Sequence, residues 1–426
     1  MALLKAARVS DVPTLVVPDL AARIDVAEAA SAKQGRFAVI GHRGKGMNAL
    51  ASPDRRLQEV KENSVRSFNE AARFAVDYVE FDVQCVGSVY VGILAGVDPF
   101  RRPWYVCSPR RPWDSGRGGS SARHACRVLV REHEESPRTQ GKVTKDACPV
   151  IFHDNFIFTE EHGKVSEKRV TDLELQDFLQ YGPQNEGKNG KPLLRKMKDG
   201  RILNWNVQSD DPLCTLQEAF EKVNPRLGFN VELKFDDYLV YPEEELSRTL
   251  QAILKVVFEH AKDRAIIFSS FQPDAAVLMR KLQSTYPVYF LTNGGTETYT
   301  DVRRNSLEEA VKLCLASGMQ GIVSEARGIF RFPAAVPKIK EADLSLLTYG
   351  TLNNVPEAVY MQRLMGVNGV IVDLVPEITE AISTAQIDLV TEDSSSSKVA
   401  RDATSTPNFT EQDLSFLLRL IRELVQ

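Results

Sequence analysis

Eight short runs of β-branched and aromatic residues, separated by stretches able to form helices, constrain the fold of this chain more than any other feature. This alternation is typical of parallel sheets with helices on the outside. The runs are Phe37–Gly41, Tyr78–Val83, Gly228–Leu233, Ala265–Phe271, Val288–Thr292, Gly321–Ser324, Leu344–Tyr349 and Gly369–Asp373. Because eight strands close a (β/α)₈ barrel, we predict an α/β protein with the TIM-barrel fold.

Three Ser/Thr-x-x-Glu patterns predict helix starts between the strands. In this pattern the hydroxyl and the carboxylate each accept a hydrogen bond from a free backbone amide of the first turn. The pairs are Thr171 with Glu174, Thr215 with Glu218, and Ser306 with Glu309. A further helix is predicted over Glu243–Lys262, where apolar residues recur every three or four positions and form one face for packing on the barrel wall.

Charge and hydropathy exclude several classes of partner. The 426 residues include 53 Lys and Arg against 57 Asp and Glu, a net charge of -4, so no overall positive field attracts nucleic acid or an anionic membrane. No apolar run approaches the roughly 18 residues of a membrane-spanning helix, so no stable membrane insertion is expected. We expect a small-molecule substrate, and the sequence leaves the oligomeric state open.

The first forty residues and the cysteines bear on the compartment. The N-terminal stretch contains Asp11, Asp19, Asp25 and Glu28, which is atypical of an organelle transit peptide, and it lacks the apolar core of a secretory signal. Six cysteines without C-x-x-C spacing indicate reduced thiols rather than a zinc site or a disulfide framework. Cytoplasm and plastid are therefore the two expected locations.

Composition divides the chain into a barrel and three foreign segments. We predict an N-terminal extension over 1–36, a barrel domain over 37–375 and a partly disordered C-terminal extension over 376–426, in which 408–426 form a short amphipathic helix. Within the barrel, residues 85–142 are rich in Arg, Pro, Gly and Ser and carry a net charge of +5. Loops of this length are uncommon in compact domains, so this segment is predicted to be an irregular insertion after the second strand.

Ionisable residues cluster at the ends of the predicted strands, where barrel active sites form. His42 and Arg43 end the first strand, and such a pair suits proton transfer and phosphate binding. Glu80 and Asp82 share one face of the second strand because side chains alternate with period two. On an edge strand such carboxylates would be an ordinary solvated face, but inside a barrel they repel one another unless a cation lies between them.

Two further strand ends complete the candidate site. Glu232 adds a third inward carboxylate, with Lys234 two residues later, and a short strand ends in His153. Three oxygen ligands suit a hard cation such as Mg²⁺ or Ca²⁺, whereas Zn²⁺ more often takes histidine or thiol ligands. Two imidazoles beside a phosphate supply an acid and a base near neutral pH. A single histidine in such a place is more often structural, so the interpretation depends on the combination.

The order His-Arg, Glu-x-Asp, His-Asp and Glu-x-Lys along one barrel resembles the glycerophosphodiester phosphodiesterase family. The resemblance spans about residues 37–375, and the runs at 211–220, 268–274 and 290–295 look most like its plant branch. It implies metal-dependent hydrolysis of glycerophosphodiesters to sn-glycerol 3-phosphate and an alcohol. The implied roles are catalysis by His42 and His153, phosphate binding by Arg43 and Lys234, metal binding by Glu80, Asp82 and Glu232, orientation of Arg43 or metal contact by Glu62, and loop support by Asn63.

The insertion is the main departure from that family. Removing residues 85–142 would rejoin Gln84 to Val143 and restore an uninterrupted family hairpin, so we interpret the segment as a translated intron or a gene-model error rather than a lid. If it is real, it separates the metal ligands from His153 along the chain. Two alternatives follow: a phosphate-binding pseudoenzyme disabled by the insertion, and a Schiff-base aldolase that uses Lys234.

Overall fold

The computed structural model describes residues 37–86, 147–184, 190–237 and 239–383. Within these ranges the chain forms fourteen strands, numbered in chain order: β1 Ala38–Gly41, β2 Tyr78–Val86, β3 Cys148–Ile151, β4 Phe156–Glu161, β5 Lys164–Arg169, β6 Leu194–Lys196, β7 Ile202–Asn204, β8 Cys214–Thr215, β9 Gly228–Leu233, β10 Ile266–Ser270, β11 Val288–Thr292, β12 Gly321–Glu325, β13 Ser345–Tyr349 and β14 Gly369–Val372.

Eight parallel strands close into a barrel, as the sequence predicts. The order is β1, β2, β9, β10, β11, β12, β13 and β14, and the pairing of β1 with both β2 and β14 closes the sheet. Seven of the eight predicted runs match these strands to within one residue at each end, and the second strand continues three residues beyond its predicted end at Val83. The (β/α)₈ prediction is therefore confirmed, and the carboxyl ends of the strands lie together at one mouth of the barrel.

The helices lie between successive barrel strands, except the last, which follows β14. They span Val65–Ala71, Leu175–Phe178, Leu216–Lys222, Glu243–His260, Pro273–Leu282, Leu307–Ser317, Ala326–Arg331, Ala335–Glu341, Pro356–Met365 and residues 375–383, with short 3-10 helices at Arg55–Gln58, Val170–Asp172, Val302–Arg304 and Thr351–Asn354. The long helix Glu243–His260 matches its prediction, because its apolar stripe is buried against the barrel. None of the described helices is both long and apolar enough to cross a membrane.

The three predicted helix starts have different outcomes. Thr215 and Glu218 form the reciprocal capping box, and Ser306 caps its helix by accepting from the amide of Glu309. Thr171 was the wrong choice: it lies inside the 3-10 helix Val170–Asp172, and the following α-helix begins at Leu175 without a side-chain cap. Thr171 is buried within this 3-10 helix, so its side chain does not cap the α-helix that follows.

Six short strands, β3 to β8, lie between β2 and β9 in the sequence and form an accessory meander. Of these, only β3, the short strand before His153, was predicted from the sequence. β3 runs antiparallel to both β2 and β8, and β4–β7 form a separate sheet in the order β5, β4, β6, β7. A second hydrophobic cluster, which includes Phe152, Phe178 and Trp205, packs beneath this sheet. The meander therefore brings its own core to one side of the barrel mouth.

Two predicted boundaries shift. β2 continues through Cys85 and Val86, which pair with Pro149 and Cys148, so the first two residues of segment 85–142 belong to a strand. The barrel also extends beyond 375, because residues 375–383 are helical and Ile378 is fully buried in the main core. The predicted extension 1–36, residues 87–142 and the predictions beyond 383 lie outside the described residues.

Candidate active site

Three predicted metal ligands meet at the barrel mouth. Glu80, Asp82 and Glu232 are all buried, and one carboxylate oxygen from each lies within 4.8 Å of the others. They converge because β2 and β9 are neighbours in register, with Asp82 beside Glu232. Oε1 of Glu80 is buried without a hydrogen-bond partner. The charge and the free oxygen of this triad both suit a hard cation.

The protein opposes ionisation of one member of this triad when no cation is present. Burial and the neighbouring charge of Asp82 raise the pKa of Glu80 to about 8. Burial also opposes ionisation of Asp82, but the positive charges around it, Arg43 and Lys234 among them, hold its pKa well below the ordinary value. Two adjacent carboxylates, one with a raised pKa and one with a lowered pKa, are typical of a site where a bound positive charge would stabilise both in the ionised form.

The two predicted cations lie beside the triad. Nζ of Lys234 is 2.8 Å from Oε1 of Glu232 and 3.5 Å from Oδ1 of Asp82. Burial by itself lowers the pKa of Lys234, but these carboxylates outweigh it and raise the pKa. The amine is therefore held protonated, whereas a Schiff-base lysine must lose its proton to act as a nucleophile. This electrostatic environment argues against the aldolase alternative.

Arg43 is fixed by the loop that carries Glu62 and Asn63. Its Nη1 donates to Oε1 of Glu62 at 2.6 Å, and its Nε lies 3.4 Å from Oδ2 of Asp82. The backbone at Arg43 is left-handed, with φ of 50°, and its carbonyl accepts from the amide of Asn63 at 3.0 Å. The Asn63 side chain in turn donates to Asp82 at 2.8 Å. This loop therefore orients both the guanidinium and a member of the triad.

Glu62 orients arginines rather than joining the triad. Its oxygens accept from Arg43, from the amide of Asn48 at 2.5 Å and from Arg195 at 3.0 Å. Burial by itself raises the pKa of Glu62, but the two guanidinium groups outweigh it and lower the pKa to about 2. Of the two contacts that the sequence left open for Glu62, the structure has the one with Arg43.

His42 at the end of β1 is held by a carboxylate from the end of β14. Its Nδ1 lies 2.7 Å from Oδ1 of Asp373, and its Nε2 lies 3.9 Å from Oε2 of Glu80. Burial by itself lowers the pKa of His42, but Asp373 outweighs that effect and raises it. Because Nδ1 is engaged by Asp373, Nε2 faces the triad and is the nitrogen available for proton transfer.

His153 has a matching arrangement on the other flank. Its Nδ1 lies 2.7 Å from Oδ1 of Asp154, and its side chain is 32% exposed. Burial lowers its pKa, and the positive charges of Arg43 and Lys234 lower it further. The insertion does not keep His153 away from the triad, because the amide of Phe152 donates to the carbonyl of Asp82 at 3.0 Å.

Sequence reasoning missed three residues that hold this site together. Asp154 and Asp373 stood in the sequence patterns without a role. Asp154 directly follows His153 and could have been found from that adjacency, whereas Asp373 reaches His42 from the end of a different strand. Arg195 lies on β6 of the accessory sheet and contacts both Glu62 and Asp154. Nothing in its local sequence marks it, since its partners lie at least 41 residues away along the chain.

The opposite arc of the mouth is aromatic and polar. Phe271 and Tyr349 pack on the interior cluster of the barrel and meet edge to face, with ring centroids 5.9 Å apart. The hydroxyl of Tyr349 lies 2.5 Å from Oδ1 of Asn293, and Glu325 accepts from Thr296 at 2.7 Å. Burial raises the pKa of the Tyr349 phenol, and the charges of Glu325 and Glu232 raise it further. This arc faces the triad across the mouth.

Comparison with known proteins identifies close relatives. Glycerophosphodiester phosphodiesterase GDPD1 of Arabidopsis thaliana, a chloroplastic protein, is 51% identical over 99% of both chains. GDPD2 of the same plant is 49% identical, also over 99% of both chains. A crystal structure of a candidate glycerophosphoryl diester phosphodiesterase from Silicibacter pomeroyi matches with a TM-score of 0.52 at 16% identity, over 82% of this chain and 94% of that one, and supports the fold.

The sequence model of the glycerophosphoryl diester phosphodiesterase family matches residues 142–377. The match begins where the segment 85–142 ends and includes His153 and Glu232. It covers more than half of the chain, and the Arabidopsis relatives extend the similarity to nearly the full length. The chain therefore belongs to the glycerophosphoryl diester phosphodiesterase family, as a glycerophosphodiester phosphodiesterase of its plant branch.

Proposed function

We propose that the chain hydrolyses glycerophosphodiesters such as glycerophosphocholine and glycerophosphoethanolamine to sn-glycerol 3-phosphate and an alcohol, in phospholipid turnover and phosphate recycling. The observation that carries the proposal is the convergence of Glu80, Asp82 and Glu232 within 4.8 Å, with an aspartate-bound imidazole on each flank. A cation, a base and an acid around one phosphodiester are the groups that this reaction needs.

A divalent cation, Mg²⁺ or Ca²⁺, belongs in this site. The three carboxylates are hard oxygen ligands, and the unpartnered Oε1 of Glu80 leaves a lone pair for coordination. When bound, such a cation polarises a phosphoryl oxygen and orders the nucleophile. It also removes the repulsion that keeps Glu80 protonated in its absence.

Arg43 and Lys234 hold the phosphate of the substrate. Both are buried cations beside the triad. Neighbouring carboxylates of the protein stabilise the positive charge of each and raise its pKa. Glu62 aims the guanidinium of Arg43, whose planar donors match the oxygens of a phosphate, and Asn63 supports the loop. Lys234 adds a compact point charge on the side of Glu232.

His42 and His153 move the protons. Each is oriented through Nδ1 by an aspartate, so each offers Nε2 to the reacting groups. One imidazole removes a proton from the nucleophile, which is water or a hydroxyl of the substrate, and the other donates a proton to the departing alcohol. Because one histidine acts as the base and the other as the acid, both are needed for turnover.

The arc of Phe271, Asn293, Glu325 and Tyr349 is proposed to face the head group. Glu325 ends β12 and is the register partner of Tyr349 on β13, and neither strand is a neighbour of β2 or β9 in the barrel. The face of an aromatic ring next to an anion suits the ammonium groups of choline and ethanolamine. Head groups with a positive charge should therefore be preferred to neutral or anionic ones.

The pseudoenzyme alternative has less support than an active enzyme. β2 and β3 pair without a break up to Val86 and Cys148, so the hairpin that carries Asp82 and His153 is complete on both sides of the segment. We propose that segment 85–142 is a translated intron or a gene-model error rather than a lid. Sequencing the transcript tests this: reads that span residues 85–142 in the dominant form would rule it out.

We propose a plastid location, of the two that the sequence leaves open. A relative that is 51% identical is chloroplastic. The acidic residues in the first forty positions favour the cytoplasm instead, so the question needs a direct test. A C-terminal fluorescent fusion of the full chain should accumulate in plastids, and a diffuse cytoplasmic signal would reject the proposal.

The release of sn-glycerol 3-phosphate from glycerophosphocholine by the purified full chain tests the function. Release is expected with Mg²⁺ or Ca²⁺, should stop when EDTA is added, and should return when excess cation is supplied. The same assay with ethanolamine, inositol and glycerol diesters ranks the head groups. Activity that EDTA does not reduce would contradict the metal assignment, and no release from any diester would contradict the function.

A further inference from the structure

We propose that Arg195 is a positioning residue that sets the orientation of both His153 and Arg43, and that the accessory sheet exists in part to deliver it. The inference rests on the proposed function and goes beyond it, because Arg195 lies outside the barrel strands and outside every sequence motif. It stands on β6, which lies between β4 and β7 in the four-stranded accessory sheet.

Each nitrogen of the Arg195 guanidinium lies within 3.2 Å of a protein oxygen. Nε and Nη2 lie 3.2 Å from the two oxygens of Asp154, and Nη1 and Nη2 donate at 3.0 Å to the two oxygens of Glu62. Nη1 also donates to the carbonyl of Asn48 at 3.2 Å. One guanidinium therefore grips two carboxylates, each by both oxygens, which is the most directional arrangement open to arginine.

The face of the guanidinium is fixed as well as its edge. Its central carbon lies 4.2 Å from the centroid of the Trp205 ring, a cation–π contact. Trp205 cannot rotate freely, because its Nε1 donates to Oδ1 of Asn48 at 3.0 Å. Since Asn48 also donates its amide N–H to Glu62, the ring, the asparagine and the carboxylate form one rigid frame around Arg195.

Each gripped carboxylate holds one functional group of the site. Asp154 is 2.7 Å from Nδ1 of His153, and Glu62 accepts from Nη1 of Arg43 at 2.6 Å. Arg195 thereby connects the imidazole that moves a proton to the guanidinium that binds phosphate. Loss of Arg195 leaves Asp154 with His153 alone and Glu62 with Arg43 and Asn48, so both carboxylates are held less firmly. Misplacement of reacting groups by about 1 Å can lower a rate by about a hundredfold.

We infer that Arg195 does not contact the substrate itself. Its residue is 8% exposed, Nη1 and Nη2 together donate four hydrogen bonds to Asn48, Glu62 and Asp154, and Nε lies 3.2 Å from Asp154. Its effect must pass through Asp154 and Glu62. A positioning role of this kind predicts a change in both KM, through Arg43, and kcat, through His153, whereas a purely structural role lowers only the fraction of folded enzyme.

Kinetics of Arg195→Lys and Arg195→Ala with glycerophosphocholine test the inference. We expect kcat to fall and KM to rise, each roughly tenfold or more, and we expect guanidinium ion to restore part of the activity of Arg195→Ala in a saturable way. The control is Arg264, which is also buried but donates only to backbone carbonyls and stacks on Phe229 at the other end of the barrel. Arg264→Lys and Arg264→Ala should leave KM and kcat per folded molecule unchanged and show no rescue.

Two variants that each remove one of the carboxylates bound by Arg195 keep the test decisive if Arg195→Ala does not fold. Asp154→Asn should lower kcat with little change in KM, and Glu62→Gln should raise KM more than it lowers kcat. Arg195→Lys with unaltered kinetic constants, or an Arg195→Ala enzyme that guanidinium does not rescue, would overturn the inference. If the unsubstituted enzyme releases no sn-glycerol 3-phosphate, the proposed function fails instead, so the two failures are distinguishable.

Discussion

Glu80 should destabilise the metal-free protein at neutral and higher pH. Its carboxyl is 2% exposed, and burial with the neighbouring Asp82 raises its pKa to about 8. An unfolded glutamate ionises near 4.3, and at about 1.36 kcal/mol per tenfold change in acidity the difference corresponds to roughly 5 kcal/mol. Between these two values the folded state binds more protons than the unfolded state, so stability falls as the pH rises from about 4 to about 8.

Glu80→Gln should remove most of this effect. The amide oxygen can keep the hydrogen bond from the backbone N–H of Arg43, which is 2.9 Å in length, while the amide nitrogen carries no charge. In EDTA the variant should match the unsubstituted enzyme near pH 4.5 and melt on the order of 10 °C higher at pH 8, since about 1 kcal/mol shifts the melting temperature of a domain of this size by a few degrees.

Thermal unfolding followed by circular dichroism measures this difference. Saturating Mg²⁺ should raise the melting temperature of the unsubstituted enzyme at pH 8 and have little effect on Glu80→Gln. Glu245→Gln is the control, because Glu245 is a buried glutamate on the helix Glu243–His260, away from the triad, and its variant should keep the response to Mg²⁺. Equal melting temperatures of the enzyme and Glu80→Gln at pH 8 in EDTA would refute the reasoning.

Three further predictions concern catalysis. His42→Ala and His153→Ala should each lower turnover about a hundredfold or more with the fold intact by circular dichroism, while His260→Ala, on an outer helix, should not; near-normal turnover in either of the first two rejects its role. The plot of kcat/KM against pH should be bell-shaped. It should rise as His153, whose pKa is lowered, loses its proton below about pH 6.5, and fall as His42, whose pKa is raised, loses its proton above about pH 6.5. A plot with only a rise or only a fall would contradict this prediction. Glu325→Gln should reduce kcat/KM for glycerophosphocholine about fivefold relative to glycerophosphoglycerol, a difference of about 1 kcal/mol, whereas Glu259→Gln, an exposed glutamate on the outer helix Glu243–His260, should not. Equal ratios for Glu325→Gln and the unsubstituted enzyme would remove Glu325 from head-group selection.

The barrel could be predicted from sequence because its strands are buried on both sides. Such strands are continuous apolar runs, and each of the eight is bounded by polar or glycine-containing turns, so their number and order are readable. The accessory strands β4–β7 are different: β5 is mostly exposed and carries no apolar alternation. Their pairing is decided by contacts with the second core, which the local sequence does not record.

The residues of the site were predictable where strand geometry fixed them. Glu80 and Asp82 share a face by alternation alone, and the register of β2 with β9 then places Glu232 beside them. The groups that orient the site were harder to find. Asp373 contacts His42 although the two residues are 331 positions apart in the sequence, and Arg195 contacts Glu62 across 133 positions. Only the folded structure brings these pairs together.

Anomalous diffraction from a crystal of the enzyme soaked in Mn²⁺ tests the proposed metal site most directly. One strong peak is expected at the barrel mouth, within about 2.2 Å of carboxylate oxygens from Glu80, Asp82 and Glu232. His42 and His153 should flank that peak without binding it. A peak bound by other residues, or no peak in crystals of an enzyme that Mn²⁺ activates, would contradict the assignment of these three carboxylates.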